Sequence, residues 1–136
     1  MAYVSLDSDQ IKKAHKKHKY TKQQVEQLEK CMDEKTGPLF FMKTFMKIQH
    51  PTKGEMAFVP YPYQERLVEA YNNHRFSISM LPRQTGKTTC ASGYLIWYAM
   101  FKPDSQILIA AHKYAGASDI MSRVRYAYEM LPSWIK

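Results

Sequence analysis

Cysteine is scarce in this chain, with only Cys31 and Cys90 in 136 residues. Two thiols so far apart supply neither a disulfide framework nor a clustered metal site, and both are read as free thiols in a reducing compartment. Long apolar runs are missing as well. The longest, residues 94–101, falls far short of the ~20 residues that span a bilayer. The N-terminus does not have the basic-then-apolar order of a secretion signal. These absences imply a soluble, cytoplasmic protein with no membrane partner. No internal repeat and no low-complexity tract is found.

What is present is an ordinary globular composition, 45% hydrophobic and 24% charged, which separates the chain from disordered proteins. Its length suits one domain around one core. The formal net charge is +8, compatible with a polyanionic partner but not sufficient to identify one. Part of that charge sits in Lys12, Lys13, Lys16, Lys17 and Lys19, interleaved with His15 and His18. Residues 1–20 have no apolar periodicity and read as a basic, flexible arm, either solvated or in contact with DNA.

From Thr21 onward the pattern is helical. Thr21 and Gln24 have capping-box spacing, and Val25, Leu28 and Met32 fall on one face. Gly37-Pro38 is expected to end that helix. Residues 39–46 read as a second, apolar helix whose aromatics belong to the core. Residues 48–60 look like a hairpin or an irregular lid, with turn chemistry at Pro51-Thr52-Lys53-Gly54. Pro60 to Tyr63 is expected to be extended. Residues 64–71 read as a helix with Leu67, Val68 and Tyr71 inward. Residues 75–81 alternate as a strand, with Phe76, Ile78 and Met80 on one face. Residues 88–101 read as a helix, 106–111 as a short buried strand, and 114–131 as a helix ended by Pro132. Strand, helix, strand and helix in this order predict a right-handed parallel unit. The fold class expected is therefore α/β, with parallel strands preceded by a helical N-terminal segment.

Chemistry concentrates where the first expected strand runs into a helix, at Pro82-Arg83-Gln84-Thr85-Gly86-Lys87-Thr88-Thr89. A loop there aims successive backbone N–H groups inward, and the helix dipole adds partial positive charge. Gly86 lets the backbone approach a phosphate. Lys87 can reach the β- and γ-phosphates, and the Thr88 hydroxyl can hold Mg²⁺. The pattern lacks one element of the usual G-x-x-x-x-G-K-[ST] motif, because Leu81 stands at the first glycine position. Arg83 is compatible with a γ-phosphate contact or with a salt bridge to a downstream acid. Gln64 is compatible with capping a helix or with pairing one edge of adenine.

Taken together, Tyr63-Gln64 before a helix, the loop 83–89, Ile107 to Lys113, Ala117 to Arg125, and Glu129 to Pro132 resemble the large terminase subunit of tailed bacteriophages, myovirus type. That family uses a deviant phosphate loop with an arginine and no first glycine. The resemblance covers roughly residues 20–136 and is most specific over 61–132. It implies a P-loop ATPase domain over 21–136 that binds ATP and Mg²⁺ through Gln64, Gln84, Thr85, Gly86, Lys87, Thr88 and Thr89. Gln64 would read adenine, Thr88 would hold Mg²⁺, and Arg83 would sense the γ-phosphate. The activity implied is ATP-driven translocation of double-stranded DNA into a capsid. The implied partners are the portal, the small terminase subunit and further copies of the same chain, in the host cytoplasm and transiently at the procapsid.

The chain also lacks an apolar strand ending in Asp-Glu, which would anchor Mg²⁺ and activate water, and it lacks nuclease carboxylates. It is expected to be the N-terminal part of a motor and inactive alone. Two alternatives stand beside this reading: the N-terminal part of a helicase-like, nucleic-acid-dependent ATPase, and a non-catalytic, basic nucleic-acid-binding remnant.

Overall fold

The computed structural model describes residues 19–50, 52 and 54–136. The basic segment expected over residues 1–20 lies outside the described residues except for its last two. Five helices and one hairpin follow in order.

The first helix, α1 (Lys22–Met32), opens with the expected capping box. Gln24 N–H donates to Thr21 Oγ1, and Thr21 N–H donates to Gln24 Oε1. The inward face differs from the one expected. Cys31 is buried and Leu28 packs against the core, whereas Val25 and Met32 are exposed. Two overlapping helical stripes compete here. The one running through Leu28 and Cys31 faces the neighbouring helices, and the small Cys31 permits the closer approach.

Gly37 and Pro38 do not end α1 but begin α2 (Gly37–Phe45). Proline suits a helix's first turn because the N–H it lacks has no partner there. Asp33 makes the connection between the two helices. Its carboxylate accepts from the Thr36 and Lys35 N–H groups and the Thr36 hydroxyl, and the bond from the Thr36 backbone foremost holds it below the usual carboxylate range. The expected apolar core of α2 is observed, with Phe41, Met42 and Phe45 buried.

The expected hairpin is also present. Strands β1 (Lys47–His50) and β2 (Gly54–Ala57) pair antiparallel, from Lys47 opposite Ala57 to His50 opposite Gly54. Helix α3 (Pro62–Asn73) buries Leu67 and Val68 as expected, with Tyr71 against the core. Tyr61 is extended and Pro62 opens the helix, so Tyr63 is helical rather than extended. The remaining helices are α4 (Lys87–Phe101) and α5 (Tyr114–Glu129).

The parallel strands are not found. Among the described residues the one sheet is the antiparallel hairpin, and residues 75–81 and 106–111 lie in no strand. The fold is thus a mixed, mainly helical one with a small two-stranded sheet. The alternation at 75–81 is real, but Phe76, Ile78 and Met80 are 82%, 97% and 94% exposed, and Leu108 is 92% exposed. A strand is completed by a neighbour's backbone. Side-chain alternation specifies a face to cover without supplying the ladder.

The core gathers around Trp97 of α4, fully buried among residues from α1, α2 and α4. Its indole N–H donates to the Cys31 carbonyl at 2.8 Å. The same carbonyl explains Gly37, where a Cβ would stand 2.4 Å from the Cys31 oxygen. We expect Trp97→Phe to lower the unfolding free energy by roughly 1–3 kcal/mol from the orphaned carbonyl alone, plus the lost packing, measured by denaturant titration. A change within error would show that the bond carries no weight.

Both thiols are free and buried. Burial pushes Cys31 up to about 12 and Cys90 up to about 11, from 9.0. Because these folded-state values are raised, the stability of the neutral thiols is fully present below pH 9 and is lost as pH rises through about 11 to 12. Burial also raises Tyr71 and Tyr94, in the same direction. The melting temperature should therefore fall as pH is taken from 9 to 11. A Tm that stays level across that interval would contradict the buried thiols.

Candidate phosphate-binding loop

The loop between residue 81 and α4 is built from its two halves. Gln84 and Gly86 both take left-handed backbone, with φ of 62° and 73°. At Gly86 the conformation is free of Cβ strain, and at Gln84 it costs about 1–2 kcal/mol. Gly86 is the N-cap of α4, and its carbonyl accepts the first helical bond from Cys90 N–H at 3.0 Å. Thr88 accordingly lies in the first turn of a helix, where the sequence placed it.

Lys87 curls back over the first half of the loop. Its ammonium donates to the Leu81 and Pro82 carbonyls, each at 3.3 Å. Thr85 Oγ1 donates to the same Pro82 carbonyl at 3.1 Å. The second half is held from α3. Gln64 Nε2 donates to the Thr85 carbonyl at 3.0 Å, and the Tyr63 hydroxyl donates to the same oxygen at 2.8 Å. Gln64 Oε1 accepts from Tyr61 N–H at 2.9 Å. The Gln64 side chain is 5% exposed, and a Cβ at position 86 would lie 2.6 Å from its amide nitrogen.

The first turn of α4 carries no acidic residue, so no carboxylate there offsets the positive end of the helix dipole or the Lys87 charge. Thr88 is half-buried at this turn. Thr89 lines a cleft of about 340 Å³ with Ile48, Ser92, Asp119, Arg123 and Tyr126. The Ser92 hydroxyl beside it is buried without a hydrogen-bond partner. Arg83 and Gln84 are exposed on the loop. Among the described residues Arg83 makes no ion pair.

Residues 78–136 match the family model for the terminase large subunit, T4likevirus-type, N-terminal. This segment is thus similar to the family that the sequence resemblance named. The terminase match begins just ahead of the loop and takes in residues 82–89, α4 and α5. It does not extend over α1, α2, the hairpin or α3, so Tyr63 and Gln64 lie outside the matched region and meet it at Thr85 and Gly86. Among the described residues no helix is long and apolar enough to cross a membrane, and no cluster of three or more potential metal ligands occurs.

Sequence reading placed Gln64, Thr85, Gly86, Lys87 and Thr88 in one site, and the fold brings Gln64 to the loop across 21 residues. It gave Tyr63 no role in the site, reading it as part of an extended stretch and of the family resemblance. The available signal was proline at 62, which opens a helix and so places residues 63 and 64 together in its first turn. The geometry makes Gly86 irreplaceable. Gly86→Ala should cost roughly 1–2 kcal/mol of backbone strain and displace the Gln64 amide, lowering the Tm. An unchanged Tm would mean that the loop relaxes out of this conformation freely.

Proposed function

We propose that this chain is the ATP-binding part of a viral DNA-packaging motor, a large terminase. The observation that carries the reading is the loop itself. A left-handed glycine caps a helix whose first residue is a lysine, with a threonine next and no acid in its first turn, inside the segment that matches the terminase family model.

In this reading the 85–88 backbone and Lys87 receive the phosphates. The two carbonyl contacts of the Lys87 ammonium are long, and a phosphate oxygen makes shorter, charge-assisted bonds. The Thr88 hydroxyl, one residue into the helix, would hold Mg²⁺, which when bound neutralises the phosphate charge. Exposed Arg83, without an ion pair among the described residues, is placed to swing toward a γ-phosphate. Gln64 has one amide N–H and one oxygen lone pair beyond the bonds already made, the donor–acceptor pair that an adenine edge requires. The net charge of +8 suits double-stranded DNA as the translocated partner. The portal, the small terminase subunit and further copies of the chain complete the assembly that this reading implies.

Isothermal titration with Mg-ATP tests it. Lys87→Ala should weaken ATP binding roughly tenfold to a hundredfold, the range for hydrogen bonds to a charged group. Gln64→Ala should weaken it less and lower the preference for ATP over GTP. No ATP binding by the unsubstituted chain overturns the reading, and equal loss of ATP and GTP in the Gln64 variant removes its adenine role.

A further inference from the structure

We propose that Tyr63 is a positioning residue of the phosphate loop, acting with Gln64 as a clasp that orients the Thr85–Gly86 peptide. The inference deepens the nucleotide reading above and rests on it.

The argument starts from one oxygen. The Thr85 carbonyl accepts the Tyr63 hydroxyl at 2.8 Å and the Gln64 amide at 3.0 Å. Both donors come from the first turn of α3, more than twenty residues earlier in the chain. A carbonyl oxygen has two lone pairs, so both are taken by one helix. The peptide from Thr85 to Gly86 is trans, as no cis bond occurs among the described residues. In a trans peptide the C=O and the next N–H point in opposite directions. Drawing the Thr85 oxygen toward α3 therefore turns the Gly86 N–H away from α3. That N–H belongs to the cap of α4, directly beside Lys87.

The clasp has its own supports. The Tyr63 ring stacks on Tyr61, with centroids 5.8 Å apart and planes 7° from parallel. The Gln64 oxygen is tied to Tyr61 N–H. Both donors are thus fixed before they meet the loop. Gly86 in turn leaves room for the Gln64 nitrogen, which a Cβ would meet at 2.6 Å. Gln84 and Gly86 flank Thr85 with left-handed backbone, and the Thr85 carbonyl lies ahead of the first helical hydrogen bond of α4, which Gly86 accepts. Two side-chain donors set its direction instead.

The experiment is titration of the full chain with Mg-ATP and, separately, with inorganic tripolyphosphate, which carries the phosphates without the base. Tyr63→Phe keeps the ring and its stack and deletes one bond. Tyr94→Phe is the control, because its hydroxyl also donates to a backbone carbonyl of α3, that of Tyr71 at 3.3 Å, away from the loop. We expect Tyr63→Phe to weaken ATP and tripolyphosphate by the same factor, roughly threefold to tenfold for one hydrogen bond. Tyr94→Phe should lower the Tm and leave both affinities unchanged. Gln64→Met, which deletes the other donor at similar length, should weaken tripolyphosphate as Tyr63→Phe does. Unchanged affinities in Tyr63→Phe, or equal losses in Tyr63→Phe and Tyr94→Phe, overturn the clasp while the nucleotide site stands. Loss of ATP without loss of tripolyphosphate also overturns it, since the effect would then lie at the base. No ATP binding by the unsubstituted chain overturns the site, and the clasp with it.

Discussion

The hydrogen bond from the Trp97 indole to the Cys31 carbonyl is where the architecture converges. It joins the third turn of α4 to the C-terminal end of α1, and both groups are buried. A helix's last carbonyls have no partner within the helix, so α1 can end inside the core only if something donates to it. Trp97 is that donor, and the ring that carries it also packs beside Tyr94, Tyr98 and Phe101 of its own helix. Gly37 then has to be glycine for α2 to start against the same oxygen. One interaction thereby sets the C-terminal end of α1, the start of α2 and the depth of α4, and α4 carries the 82–86 loop at its N-terminus.

The loop is consequently suspended between two fixed bodies. From α4 it takes the helix N-terminus and Lys87. From α3 it takes Tyr63 and Gln64. Helix α3 is itself packed against α4 through Tyr71, whose carbonyl accepts from the Tyr94 hydroxyl at 3.3 Å, so both bodies refer to the same core. The surface pairs Lys43–Glu65 and Lys102–Glu34 add little to this frame, since exposed ion pairs contribute about 0–1 kcal/mol. The frame is apolar packing plus a few hydrogen bonds to otherwise unpartnered carbonyls.

Local elements were legible in the sequence because their causes are local. Thr21 and Gln24 announce the start of α1, the apolar run at 39–46 gives α2, and the turn chemistry read at Pro51-Thr52-Lys53-Gly54 announces the hairpin. The loop was legible because Gly86, Lys87 and Thr88 are adjacent and each has a chemical reason to be there. What failed was long-range. Residues 75–81 and 106–111 have strand-like patterns, but pairing depends on a neighbour that no local pattern specifies. The face of α1 was misjudged because Val25 and Met32 looked as apolar as Leu28 and Cys31, and only the packing on α2 and the Trp97 bond to Cys31 choose between them. Tyr63 was invisible for a similar reason, because its partner is a backbone carbonyl 22 positions away, and a carbonyl leaves no mark in a sequence.

The missing strand pairing changes what holds the first half of the loop. When a strand ladder precedes such a loop, backbone bonds fix the residues leading into it. Here residues 75–80 are exposed, and the Leu81 and Pro82 carbonyls are met instead by Lys87. An ammonium has three donors, and two of them are spent on bonds of 3.3 Å, near the weak end of the useful range. The second half is held more firmly, by bonds of 2.8 and 3.0 Å to one oxygen. The loop therefore has a stiff side facing α3 and a yielding side facing Lys87. The Lys87 contacts can lengthen without disturbing the Thr85–Gly86 peptide. That asymmetry lets the charged group move while the backbone beside it keeps its direction.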